Sequence, residues 1–238
     1  MNQTEILYGI AAASANVLGA LAVLTRTSWS LRVLDTLLSF AAGFLISVAL
    51  VDLFPDALRA AGTVAAVVAL GSYVAVHFTQ HTLGRHFHFG EETHAVSEIV
   101  SVSALIGLLM HTFVDGVAVA SALQVSTGLG ALVFVAVFLH KFPEGLAISS
   151  LFVAAGAGRA KALLAACALG VMTILGVLLT EHVTLLRTYG LAVSAGVTLY
   201  VGASNLVPEL QDRHGWRIPG SFVAGCALYF VARRIAAV

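Results

Sequence analysis

GLGALVFVAVFLHKFPEGLAISSLFVAA, residues 128–155, is apolar almost throughout, yet it carries a histidine, a lysine, a proline and a glutamate at its middle. A helix needs roughly 20 mostly apolar residues to cross a hydrocarbon core of ~30 Å, and this stretch is long enough. It lacks the period-two alternation of an outer-membrane barrel strand. The run before it, 99–123, follows the same plan with His111 and Asp115 inside it. Working outward, further apolar runs occupy 6–25, 33–54, 60–83, 162–180, 188–207 and 218–232. The reading is an all-α integral membrane protein, with eight transmembrane helices in a single domain over residues 1–238 and a histidine-containing loop at 84–98.

Composition agrees. Of 238 residues, 59% are hydrophobic and 10% charged, against about 25% charged in an average soluble domain. Such a chain has too few charges to cover a water-facing surface and too much hydrophobicity to be disordered. Twelve Lys+Arg balance twelve Asp+Glu, so no basic field exists for nucleic acid. Cys167 and Cys226 lie in apolar runs, and two cysteines make neither a disulfide framework nor a thiolate cluster. The N-terminal segment has no basic region before its first apolar run and reads as a span rather than a cleaved leader.

Basic residues set the orientation. Arg26, Arg32, Arg85, Arg159, Lys161, Arg213 and Arg217 fall on one side, and Arg59, Arg187, Arg233 and Arg234 on the other. This places both termini outside the cytoplasm and the 84–98 loop within it. The second span ends Asp52-Leu53-Phe54-Pro55-Asp56 and the seventh ends Asn205-Leu206-Val207-Pro208-Glu209. With eight spans these two run in opposite directions, as an inverted repeat requires. Proline beside an acid is also ordinary helix-end punctuation, so both readings stand.

Chemistry concentrates in two motifs, His111-Thr112-Phe113-Val114-Asp115-Gly116 and His140-Lys141-Phe142-Pro143-Glu144-Gly145. Each sets a histidine and a carboxylate four residues apart, on one helix face. Imidazole nitrogen and carboxylate oxygen are common ligands of zinc and its neighbours, and four such donors close a tetrahedral site. The midpoint between the motifs falls at a turn over 126–130, so each lies about 21 Å from the bend at 1.5 Å per residue. An antiparallel hairpin then brings both to one depth, near the bilayer centre. Small residues Gly107, Ala118 and Ala122, with Ala104, share the His111–Asp115 face and permit close approach.

Charges at that depth oppose insertion by about 2.5–3.5 kcal/mol each, so they face a bundle interior and usually serve a function. A buried pair of Lys141 with Glu144 or Asp115 that only glues helices explains three charges, but not two histidines in register with two acids. Pro143 donates no hydrogen bond and opposes the Leu139 carbonyl, which predicts a kink beside the donors.

Together the spans and the H-x-x-x-D-G and H-K-x-P-E-G motifs resemble the Zrt-/Irt-like (ZIP) divalent metal transporters. The resemblance implies that His111, Asp115, His140 and Glu144 hold the transported metal. It also implies inverted repeats of spans 1–3 and 6–8 around a central 4–5 hairpin. A homodimer in the plasma (inner) membrane, uptake towards the cytoplasm and elevator-like motion follow from it too. Members with two metals place Asn, Asp or Glu directly after the histidines and a further acid inside the sixth span. Here those positions are Thr112 and Lys141, and the sixth run has no acid before Glu181. The expectation is one metal per site, with Lys141 in place of a second cation.

His77 and His81 near the end of the third run, then His86, His88, Glu91, Glu92 and His94, form a tract that collects metal or is simply a polar loop. Asp52, Asn205 and Glu209, with Asp56, either line the path or solvate helix ends. No cofactor is called for. The cargo is Zn2+ or another divalent ion, Fe2+, Mn2+ or Cd2+; with no Cys or Met ligand placed, copper(I) is disfavoured. The rivals are an intramembrane zinc hydrolase, for which H-E-x-x-H is missing, and a proton-conducting or pH-sensing protein using the same histidines.

Overall fold

A computed structural model describes residues 3–25, 31–83, 98–207 and 215–236. Among them there is no strand. The helices are α1 (Gln3–Thr25), α2 (Leu31–Val48), α3 (Phe54–Ala61), α4 (Thr63–Leu83), α5 (Glu98–Val125), α6 (Thr127–Ala154), α7 (Arg159–His182), α8 (Thr184–Leu199) and α9 (Arg217–Ile235). Among the described residues, five stretches are long and apolar enough to cross a membrane: Gln3–Thr25, Asp35–Ala61, Leu105–Val125, Thr127–Val153 and Arg159–His182. The apolar part of α4, Thr63–Thr79, is shorter.

Many large apolar side chains point outward. Val67 and Leu164 are among many left exposed, which suits a lipid surface and no aqueous one. On α1 and α7 most of the buried residues are small: Ala12, Ala13, Ala15, Gly19 and Ala20 on α1, and Ala162, Ala165, Ala166, Gly170 and Gly176 on α7. Lipid offers no hydrophobic drive for helix pairing, so close backbone approach through small residues takes over. One group of mutually packed helices contains α1, α5, α6 and α7; outside it, α2 packs on α9 and α4 on α8. The two sets meet chiefly where α5 packs on α8 and α2 on α6.

Two elements depart from the expected regular spans. Between α2 and α3 the chain makes a π-helical turn, Ala49–Leu53, in which the Phe54 N–H donates to the Ala49 carbonyl. Pro55 follows, and the widened turn accommodates a residue that cannot extend the regular ladder. The second run therefore continues as one rod to Ala61, past the expected end at 54. After α8 a second π-helical stretch, Tyr200–Leu206, closes with the Val207 N–H on the Gly202 carbonyl. Both fall on the two Pro-acid motifs. By contrast α6 runs unbroken across Pro143.

The bend between α5 and α6 is tighter than the 126–130 turn expected. Only Ser126 separates the helices, in extended conformation, and its Oγ accepts the Leu129 N–H at 3.0 Å. That N-cap starts α6 at once and fixes the register of the hairpin.

Candidate metal site in the helix hairpin

His111 and Asp115 lie on α5, and His140, Lys141 and Glu144 on α6. All five are buried, Lys141 completely. One ligating atom from each of His111, Asp115, His140 and Glu144 falls within 4.8 Å of the others. Asp115 Oδ2 is the hub, 3.2 Å from His111 Nε2, 3.2 Å from His140 Nε2 and 2.7 Å from Lys141 Nζ. The ammonium also donates to Glu144 Oε2 at 3.2 Å.

Local bonds prepare the histidines. His140 Nδ1–H donates to the Ala136 carbonyl at 2.9 Å, which leaves the Nε2 lone pair aimed into the cluster, the usual outer support of a metal-binding imidazole. Nε2 stands 3.2 Å from Asp115 Oδ2, close enough for the two to share one ion. His111 Nδ1 and Glu144 Oε1 are buried and meet no hydrogen-bond partner among the described residues. Such orphans cost roughly 1–3 kcal/mol each unless something else satisfies them. Thr112, also buried, donates to the Leu109 carbonyl at 3.1 Å.

The glycine after each acid has a job that the spacing argument missed. A Cβ on Gly116 would stand 2.0 Å from the Thr173 carbonyl oxygen, and one on Gly176 would stand 2.0 Å from that of Phe113. This is the α5–α7 crossing. A Cβ on Gly145 would lie 2.0 Å from the Asn16 carbonyl oxygen, and one on Gly19 would lie 2.2 Å from that of Phe142. That is the α1–α6 crossing. Each carboxylate is thus followed by the glycine that locks its helix against a neighbour. Gly107, expected on the contact face, has nothing within 4 Å of its would-be Cβ, while Ala118 and Ala122 are buried as expected. The side chain of Ala104 lies outside the described residues.

Other expected residues sit apart from the cluster. Asp52, in the first π-helical turn, is buried and accepts Tyr229 Oη–H at 2.6 Å and Arg233 Nε–H at 2.9 Å. It ties α9 to that turn instead of ending a helix in solvent. Asp56 pairs with Arg59. His77 is exposed on α4, with its ring edge-on to Tyr200 at 5.9 Å. The side chains of His81 and Asn205, and all of His86, His88, Glu91, Glu92, His94 and Glu209, lie outside the described residues.

Comparison with known proteins gives the same direction. Zinc transporter ZIP9-A of Xenopus laevis is 32% identical over 138 residues, a match covering 52% of this chain and 46% of that protein. Zinc transporter ZIP9 of Micropogonias undulatus is 32% identical over 138 residues, covering 52% and 44%. Metal cation symporter ZIP14 of Xenopus tropicalis is 27% identical over 123 residues, covering 48% and 26%. Each match spans less than half of the relative's length. The sequence pattern described as ZIP zinc transporter matches residues 77–231. With that pattern running through more than half of its residues and across both motif-bearing helices, the chain belongs to the ZIP zinc transporter family.

Proposed function

We propose that this chain carries a divalent metal ion, zinc foremost, across a membrane, using His111, Asp115, His140 and Glu144 as transient ligands. One observation carries the reading: four donors from two apolar helices share a space of 4.8 Å, buried, where isolated charges would be costly. Imidazole with carboxylate suits Zn2+, Fe2+, Mn2+ and Cd2+. A transport site must also release its cargo, and protonatable ligands make that affinity adjustable.

The site takes one metal. Lys141 Nζ lies on Asp115 and Glu144, where its charge opposes a second cation, and Thr112 beside His111 supplies no charge to attract one. Eight spans in an inverted repeat account for the paired π-helical stretches at the two Pro-acid motifs. They account equally for the paired glycine crossings, α1 with α6 and α7 with α5. Motion follows the packing: the α1, α5, α6 and α7 group moves as a body against the remaining helices, in an elevator-type cycle. The direction is from outside to the cytoplasm across the plasma (inner) membrane, with both termini outside and a homodimer as the assembly. The 84–98 tract receives released metal.

The test is uptake of zinc, cadmium, iron(II) and manganese into proteoliposomes. The full chain should transport at least one of them, with His111→Ala and Glu144→Ala near the empty-vesicle rate. Current without metal would favour a proton pathway, and metal-dependent cleavage without uptake would favour a hydrolase. Two fully occupied metals bridged by Glu144, seen by anomalous scattering, would overturn the single-metal assignment.

A further inference from the structure

Beyond the donor set, two buried polar side chains of these four helices, Asn16 on α1 and Ser121 on α5, meet no hydrogen-bond partner among the described residues, and Asn16 is the one packed against the Glu144–Gly145 step. It is fully buried, and neither Oδ1 nor Nδ2 meets a partner among the described residues. Its backbone packs directly on Gly145, so it shares a layer with Glu144. Lys141 and Gly145 are four residues apart and occupy one face of α6, the face that α1 meets. Along α1, Gly19 meets Phe142 and Leu146 of α6, and Gly9 meets Val177 of α7. At about 100° per residue Asn16 falls between those two directions, towards the interior of the four-helix group. A residue with an unpartnered amide and one with a wholly buried ammonium are therefore set on the two sides of one helix crossing.

The ammonium occupies the oxygens a metal needs. It holds Asp115 Oδ2 at 2.7 Å and Glu144 Oε2 at 3.2 Å. A divalent ion arriving at the four donors claims both carboxylates and repels the ammonium. Being fully buried, the ammonium must find another acceptor inside the bundle. We propose, building on the site reading above, that Asn16 is a positioning residue whose Oδ1 receives the Lys141 ammonium when a divalent ion takes the carboxylates. Lys141 is then a tethered competitor that shifts aside without leaving the protein, and Asn16 sets how readily it does so.

The experiment measures zinc affinity of the full chain in nanodiscs by competition with a fluorescent chelator. Asn16→Leu removes the acceptor and should weaken zinc binding about tenfold or more, the scale of a hydrogen bond to a charged group. In a Lys141→Met background the same substitution should change affinity less than about twofold, because no ammonium needs a place. Asn16→Asp, a stronger acceptor, should restore or exceed wild-type affinity. Equal losses in both backgrounds, wild-type affinity in Asn16→Leu, or no rescue by Asn16→Asp would each overturn the proposal. His111→Ala separates the two readings: zinc binding that survives it refutes the metal site itself, whatever Asn16 does.

Discussion

Gly145→Ala adds one methyl group at the tightest point beside the site. Its Cβ would stand 2.0 Å from the Asn16 carbonyl oxygen, 2.7 Å from the Asn16 carbonyl carbon and 2.8 Å from its Cα. All three are backbone atoms of a helix, so no rotamer change relieves the clash. Restoring a normal separation near 3.5 Å requires α1 and α6 to part by about 1.5 Å. Metal–ligand distances tolerate only about ±0.2 Å, and Glu144 is the adjacent residue on the displaced helix. Overpacking of this kind costs about 1–3 kcal/mol, and a backbone-on-backbone clash belongs at the upper end. Purified Gly145→Ala should bind zinc at least about tenfold more weakly than wild type, a loss of about 1.4 kcal/mol, and should unfold at a lower temperature. Gly107→Ala is the control: its Cβ meets nothing within 4 Å, so zinc affinity should stay unchanged, and because alanine is the better helix former the unfolding temperature should not fall. Wild-type zinc affinity in Gly145→Ala would refute the claim that this crossing holds Glu144 in place.

Two further substitutions separate scaffold from site. Tyr229→Phe deletes the Oη–H that Asp52 accepts at 2.6 Å but keeps the edge-on ring contact with Phe44. A hydrogen bond to a charged group is worth about 1.5–3 kcal/mol, so thermal unfolding in detergent should come several degrees earlier, with zinc affinity unchanged. Ser126→Ala removes the cap that accepts the Leu129 N–H and should cost about 1 kcal/mol. Chemical denaturation in micelles, read by circular dichroism, should show that loss, and an unchanged midpoint would mean that the hairpin register does not depend on the cap.

Helix class and the two motifs were legible because apolar length and the four-residue His/acid spacing are local signals. Equal distance from a shared bend then made convergence of His111, Asp115, His140 and Glu144 a matter of counting. The ends were less legible. The second run passes its proline because a π-helical turn absorbs the missing hydrogen bond, and nothing in Ala49–Leu53 announces that turn beforehand. Asp52 looked like a helix-end acid because its partners, Tyr229 and Arg233, are remote in sequence. Asn16 sits in an alanine-rich run where a single amide draws no notice, and only the packing shows that both its polar atoms go unmet among the described residues.

The glycines explain why the donor pairs and the helix crossings coincide. A ligand set on two helices is precise only when those helices are fixed relative to each other and to what surrounds them. Ser126 fixes the first relation by leaving no slack between α5 and α6. The D-G and E-G steps fix the second, because the residue after each acid is the one that lets a neighbouring backbone approach. Moving Asp115 or Glu144 alone would open the crossing beside it and expose peptide groups that lipid cannot hydrate. In the elevator-type cycle proposed above, α1, α5, α6 and α7 would therefore travel together, and the α5–α8 and α2–α6 contacts would be the ones to slide. A disulfide placed across α5 and α8 should therefore stop uptake while leaving zinc affinity intact, whereas one across α1 and α6 should spare both.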